Sequence, residues 1–139
     1  MNKLIKGMLV GSFVILTATA CGGKKLTCTM KEDDTEMKYV LTYKGKKDAA
    51  TITKMQVVAT KTEDSAADAK DSEKEAKETC KEYKEDDKKT KCTVKRSGKK
   101  VTMTMTTTDK EQLESYNSKD GVDIEDLKDS YEKIGMKCK

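Results

Sequence analysis

Lys99-Lys100-Val101-Thr102-Met103-Thr104-Met105-Thr106-Thr107 alternates apolar and polar residues without a break. A period of two marks a strand with one face buried and the other in water. The segment just before it, Thr90 to Arg96, reads the same way, and Ser97-Gly98 between them is turn chemistry, so the two form a hairpin. Everything else in the chain must supply a cover for the apolar side of this hairpin and more strands to extend it.

Upstream, Leu26, Cys28 and Met30 alternate with Thr27, Thr29 and Lys31, which predicts a first strand. Glu32-Asp33-Asp34 turns the chain into a second strand carrying Met37, Tyr39, Leu41 and Tyr43. Lys44-Gly45-Lys46 turns it again into a third, from about Ala49 to Thr60, with Met55, Val57 and Ala59 on one face. From Glu63 to about Asp86 the period changes. Ala66, Ala69, Ala76, Cys80 and Tyr83 make one helical stripe of mostly small side chains, and Glu73 with Lys77 supports it at i,i+4.

Downstream of the hairpin, Asp109 reads as an N-cap with Gln112 three residues on, a capping-box spacing, ahead of a short helix carrying Leu113 and Tyr116. Asp123 opens a last helix with Ile124, Leu127, Tyr131 and Ile134 at helical spacing. Gly135 ends it, and Met136-Lys137-Cys138 is a terminal extended piece. The expected fold is α+β, an antiparallel sheet of about five strands with two or three helices packed on one face, in the order βββαββαα.

The first twenty residues carry targeting chemistry instead. Lys3 and Lys6 precede an apolar run from Gly7 to Leu16, shorter than the ~20 residues a membrane span needs. Thr17-Ala18-Thr19-Ala20-Cys21 then brings small residues to a cysteine, followed by Gly22-Gly23. This stretch resembles the bacterial lipobox, in which the cysteine thiol receives diacylglycerol and becomes the new N-terminus. The leucine usually three residues before the cysteine is here Ala18, and the nearest leucine is Leu16. The expected organisation is a lipoprotein signal peptide over 1–20, a lipidated tether over 21–25 with Cys21 as the acyl site, and one globular domain over 26–139. Two acyl chains on one residue supply the double anchor that stable membrane attachment requires, and the outer face of the cytoplasmic membrane is the expected location.

Without Lys3 and Lys6, the 29 Lys+Arg of the chain become 27 against 25 Asp+Glu, a net charge of about +2. Along the chain lysines alternate with acids and form no single basic block, which gives no footprint for nucleic acid. After residue 20 there is no His, Trp, Pro or Phe, and the five Tyr are the only aromatics. So thin a core invites covalent support. Beyond Cys21 stand Cys28, Cys80, Cys92 and Cys138, an even number in an oxidising compartment. Cys80 and Cys92 lie twelve residues apart across a turn, so the preferred pairs are Cys80–Cys92 and Cys28–Cys138. Spacing leaves the other two pairings open. Each bridge contributes roughly 3–5 kcal/mol by loop closure.

Catalytic motifs are missing from the sequence. Any general base would have to be a carboxylate, Lys or Tyr with a shifted pKa, and no GxSxG, SxxK or Gly-rich phosphate loop occurs. Four cysteines without a CxxC or a His read as structural and not as a metal set. Asp120, Asp123, Glu125, Asp126 and Asp129 gather round Gly121, but Ser118 and Tyr116 stand where an EF-hand loop needs acids. They read as a helix cap and a solvated face. Methionines 30, 37, 55, 103 and 105 read as core filling. The ladder Thr102, Thr104, Thr106 gives a polar outer sheet face, with a polymer such as cell-wall glycan as the functional alternative to plain solvation.

The ensemble resembles the YehR-like family of small bacterial lipoproteins, a domain of unknown function. The matching features are the stretch ending in Cys21, Leu26-Thr27-Cys28, the Tyr39-to-Tyr43 strand, Cys80 with Tyr83, Lys91-Cys92 with Val94, and Gly135-Met136-Lys137-Cys138-Lys139. The resemblance implies an α+β domain on a lipid anchor, of a kind common in low-GC Gram-positive bacteria. It brings no catalytic residue with it. The expected function is a non-enzymatic binding domain at the cell envelope, monomeric and without cofactor, engaging an envelope protein or cell-wall polymer. A small-ligand receptor and a carboxylate-dependent envelope enzyme are the alternatives.

Overall fold

Strict alternation in five segments builds five long or moderate strands, and a sixth comes from the chain's last residues. The computed structural model describes residues 23–139. The strands are β1 (Lys24–Glu32), β2 (Thr35–Lys46), β3 (Ala49–Thr62), β4 (Lys91–Ser97), β5 (Lys100–Thr107) and β6 (Lys137–Cys138). Helix α1 (Ala66–Asp86) joins β3 to β4, and α2 (Lys110–Leu113) and α3 (Ile124–Lys133) lie between β5 and β6. The sheet order is β4-β5-β3-β2-β1-β6, antiparallel at every pairing. The α+β architecture is the one alternation and helical spacing predict. The extra strand forms because the terminal extended piece pairs with β1.

Helix α1 carries the chain past one strand width, and β5 then returns to fill the slot beside β3. The helix starts at Ala66, later than the expected Glu63. Ser65, in extended conformation, caps it by accepting from the Asp68 N–H at 3.1 Å. Glu63 instead pairs with Lys61 at 2.7 Å and accepts from the Ser72 hydroxyl.

The cover lies on one face. Helix α1 packs on β4 and β5, α3 on β6 and β1, and α2 on β3. Under α3 sits the main core: Leu26, Cys28, Leu41, Tyr43, Ala50, Ile52, Leu113, Ile124 and Met136. Leu41 and Ile52 are 1% and 2% exposed, and each such burial stabilises by about 1.5–3 kcal/mol. Under α1 the buried apolar set is smaller: Ala69, Cys80, Cys92 and Val101.

A bulge near Thr42 and Tyr43 shifts the β2–β3 register. There the Asn117 side chain takes the place of a strand. Its Oδ1 accepts from the Ile52 N–H at 2.8 Å and its Nδ2 donates to the Ile52 carbonyl at 3.0 Å. Val122 exchanges two backbone hydrogen bonds with Ala50, at 2.8 and 2.9 Å. Buried backbone groups at a sheet edge need partners, and these residues supply them. Gly121 has to be glycine here, with φ +89 and the Ala49 backbone 2.8 Å from where a Cβ would sit.

Helix α3 ends in a Schellman motif. Gly135 (φ +93) donates to Glu132 at 3.0 Å and Met136 to Tyr131 at 3.1 Å. That turn swings Met136 into the core and leaves Ile134 two-thirds exposed. Ile134 thus falls off the apolar stripe on which helical spacing placed it.

Candidate functional site

Cysteine positions on the covered face decide the cross-links. Cys28 in β1 stands directly opposite Cys138 in β6. Thr27 and Lys139 next to them exchange both backbone hydrogen bonds, at 3.0 and 2.8 Å, so Cys28 and Cys138 occupy a non-hydrogen-bonded position, where facing residues come closest. Their Cα atoms are 4.0 Å apart and the sulfurs are bonded. Cys80 on α1 and Cys92 on β4 are likewise bonded, Cα to Cα 5.3 Å. One bridge fastens the C-terminus to the sheet and the other fastens α1 to the edge strand. Cys28, Cys80 and Cys92 are each 5% exposed or less, a setting for structural bridges and not for reactive thiols.

Cys21, the proposed acyl site, and the proposed signal over 1–20 lie outside the described residues. Among the described residues, no helix is long and apolar enough to cross a membrane.

The acidic residues separate into caps and ion pairs. Asp123 accepts from the Glu125 and Asp126 N–H groups at 2.9 and 3.2 Å, capping α3. Glu125 pairs with Lys47 at 3.1 Å. Asp109 caps α2 through the Glu111 N–H at 2.8 Å, but Gln112 does not return the bond as a capping box would. Its side chain donates instead to Asp87 Oδ2 at 2.6 Å, tying α2 to the end of α1. Asp87 also accepts from the Thr90 hydroxyl and the Lys89 N–H, which together hold its carboxyl below the usual range. Asp109 is buried, with Lys89 Nζ at 2.7 Å. The Lys89 ammonium, then the Glu111 N–H, lowers the Asp109 pKa. Glu85 and Asp86 complete the last turn of α1 and Asp87 caps its C-terminus. Among the described residues, no group of three or more His, Cys, Asp or Glu is placed to hold a metal ion.

Between α1 and α3 the cover thins. Met30, Met37, Met55, Met103 and Met105 face the helices by register but stay half-buried. Only Met136 among the methionines of residues 23–139 is buried. Met30 and Met55 pack against the main core, as the core-filling reading expects. Among the described helices α1 sits on β4 and β5, α3 on β1 and β6, and the four-residue α2 makes the main contact with β3. Tyr39 and Tyr131 pack against the same core, ring centroids 5.9 Å apart. Burial, and then Tyr116, pushes the Tyr131 pKa well up.

Among the described residues no helix packs on the opposite face of the sheet, where Val40 is nonetheless buried. Pairing register sets its rows. One runs Thr29, Lys38, Val58, Thr104, Thr93 and the next Lys31, Glu36, Thr60, Thr102, Lys95. The threonine ladder of β5 lies in the middle of this face, where Thr102 meets Thr60 at 3.2 Å and Thr106 accepts from Gln56 at 3.2 Å. Counting strand residues by register, ten lysines share the face: two from β1, three from β2, one from β3, two from β4 and one each from β5 and β6. Glu36 is the single acid among those residues. Burial lowers the Lys38 pKa, Glu36 opposes that, and Lys139 and Lys25 lower it further.

The acids have gone to the helices. Helix α1 has eight acids against five lysines and α3 four against two. A chain near charge balance thus folds with its charge divided between two sides. Reading charge along the chain misses this, because strands far apart in sequence each contribute every second residue to one face. Setting the outward positions of all strands side by side recovers it. No family model matches the chain, and neither a curated protein nor a solved structure matches it.

Proposed function

We propose that the chain is an exported lipoprotein, held at the outer face of the cytoplasmic membrane by diacylglycerol on Cys21. In this reading it belongs with the YehR-like lipoproteins, and its α+β domain is a binding module and not an enzyme. The observation that carries it is the broad sheet face set with threonine and lysine, on which no described helix packs, opposite a face closed by two disulfides. Disulfides support an oxidising compartment, and a broad, polar sheet face is suited to engaging an envelope component.

Two measurements test the reading. A Cys21→Ser chain expressed in the native cells is expected to leave the membrane fraction after a high-salt wash, whereas the unaltered chain stays. Retention of the variant after that wash would count against the anchor. A pull-down from crosslinked envelopes with the lipidated protein is expected to enrich a specific component, and recovery of none would count against the binding role.

A further inference from the structure

The sheet has two unlike edges. At one end β6 is two residues long. At the other β4 runs for seven, and among the described residues β5 is its one strand neighbour. Gly98 and Lys99 form a two-residue hairpin turn, with Gly98 at φ +59, which makes Ser97 and Lys100 a hydrogen-bonded pair. Alternation from that pair aims the backbone N–H and C=O of Lys91, Thr93 and Lys95 at β5. It aims those of Cys92, Val94 and Arg96 at the open edge. A free edge of this length is a template for another strand.

A groove of about 400 Å³ lies between α1 and this strand, walled by Lys77, Lys81 and Lys84 from the helix and by Thr93 and Val94 from β4. The Cys80–Cys92 bridge joins the two walls and fixes their spacing. The helix lysines are not scattered. Lys70, Lys74, Lys77, Lys81 and Lys84 stand four and three residues apart in turn, so they share one flank, on the Cys80 side of the helix. Asp71, Glu75, Glu78 and Glu82 repeat that rhythm one position on and therefore stand further round, away from the groove. To these β4 adds Lys91, Lys95 and Arg96 and no acid. Glu73 holds Lys77 and Arg96 at 2.7 Å each, and Lys81 lies 4.0 Å from Glu85. Lys84, Lys91 and Lys95 are exposed and make no ion pair among the described residues.

We propose that this groove receives an extended acidic segment of a partner protein, which adds to β4 as a further strand. A peptide backbone supplies both kinds of group the edge needs. Its carbonyls accept from the N–H groups of Cys92, Val94 and Arg96, and its own N–H groups donate to their carbonyls. A polyphosphate offers acceptors alone and leaves those carbonyls unpaired. Successive side chains of an added strand point to opposite faces, so its carboxylates meet Lys81 and Lys84 on one side and Lys91 and Lys95 on the other. A second copy of this chain fits badly, because its edge brings Lys91, Lys95 and Arg96 against the same three cations. The proposal rests on the binding-module reading but uses neither the threonine–lysine sheet face nor Cys21.

The test uses the purified protein with both disulfides closed and, as probe, a short capped peptide of alternating glutamate and valine. Fluorescence anisotropy is expected to show binding of this peptide. It is expected to show none for a lysine–valine peptide, and none for the glutamate–valine peptide with alternate amides N-methylated. With the probe bound, hydrogen exchange should slow at the amides of Val94 and Arg96 and stay unchanged at Thr93 and Lys95, which already face β5. Replacing Lys81, Lys84, Lys91 and Lys95 together with Gln should weaken binding about tenfold. Replacing Lys44, Lys110, Lys119 and Lys133, exposed elsewhere, should change it less than about twofold at the same net charge. Circular dichroism checks that both variants are folded, and the N-methylated peptide on the unsubstituted protein decides the matter if the first is not. Failure of the probe to bind, equal binding of its N-methylated form, or equal loss in the two variants would overturn the proposal. Binding of inorganic polyphosphate at the same place, with no slowing at Val94 and Arg96 under either ligand, would overturn it in favour of a polyanion. Dimerisation through β4 in the absence of peptide would overturn it in favour of self-pairing. Failure at this edge leaves the Cys21 anchor and the envelope pull-down standing, and failure of either of those leaves the peptide result standing.

Discussion

On its helix-covered face the sheet presents Leu26, Cys28, Leu41, Tyr43 and Ile52, and both disulfides close there. On its opposite face the same strands present Thr29, Lys38, Thr104 and Lys95. The strand period of two sorts one sequence into two surfaces of opposite chemistry, and stability is concentrated on one of them. The covered face is itself uneven. The α3 side has a nine-residue buried cluster, while the α1 side relies on small side chains, a disulfide and the Glu73 carboxylate, which pairs with Lys77 and Arg96 at 2.7 Å each.

Substitutions can break that contrast, and the expected effects descend in order. Removing the Cys28–Cys138 bridge by paired alanines should destabilise most, by about 4–5 kcal/mol, because it closes a loop of 110 residues. Urea unfolding reads the loss. Leu41→Ala, at a position only 1% exposed, should cost about 3–4 kcal/mol by the same assay. Removing Cys80–Cys92, a separation of 12, should cost about 3 kcal/mol. Hydrogen exchange should show that loss mainly in α1 and β4, leaving β1 and β2 protected.

Asp109→Asn sharpens the contrast through pH. The folded carboxyl titrates below its unfolded value because Lys89 and the Glu111 N–H favour the anion. Its stabilisation is therefore present above about pH 4 and is lost as pH falls through the lowered folded pKa. Thermal melts of wild type and variant should differ at neutral pH and converge in acid. A constant difference at every pH would remove Asp109 from this role. Smallest of all, Lys95→Gln at an exposed position of the opposite face should change stability by no more than about 0.5 kcal/mol.

The parts of the fold that were legible in the sequence are those where one face decides the residue. The β5 alternation of Val101, Met103 and Met105 with threonines, the β2 run Met37 to Tyr43, and the Ala69 and Cys80 stripe of α1 are all of this kind. What stayed hidden depends on partners distant in sequence. Two residues, Lys137 and Cys138, are too few to show a period, and become a strand only because β1 lies beside them. Asn117 looks like any loop residue until β5 ends opposite Met55 and leaves the Ile52 backbone without a strand on that side. Gln112 keeps capping-box spacing, yet Asp87 offers it a better acceptor. The methionine pattern locates the helix-facing side correctly but carries no signal of how far apart α1 and α3 settle. The lysine face is the clearest case, since each strand holds only one to three of its lysines.

One measurement reaches the root of this account: the intact mass, taken without reductant, of the protein isolated from its native membranes. The expected value is that of residues 21–139 carrying diacylglycerol on Cys21 and lacking the four hydrogens of two closed disulfides. A mass that retains Met1, shows a bare Cys21, or reports four free thiols would contradict it.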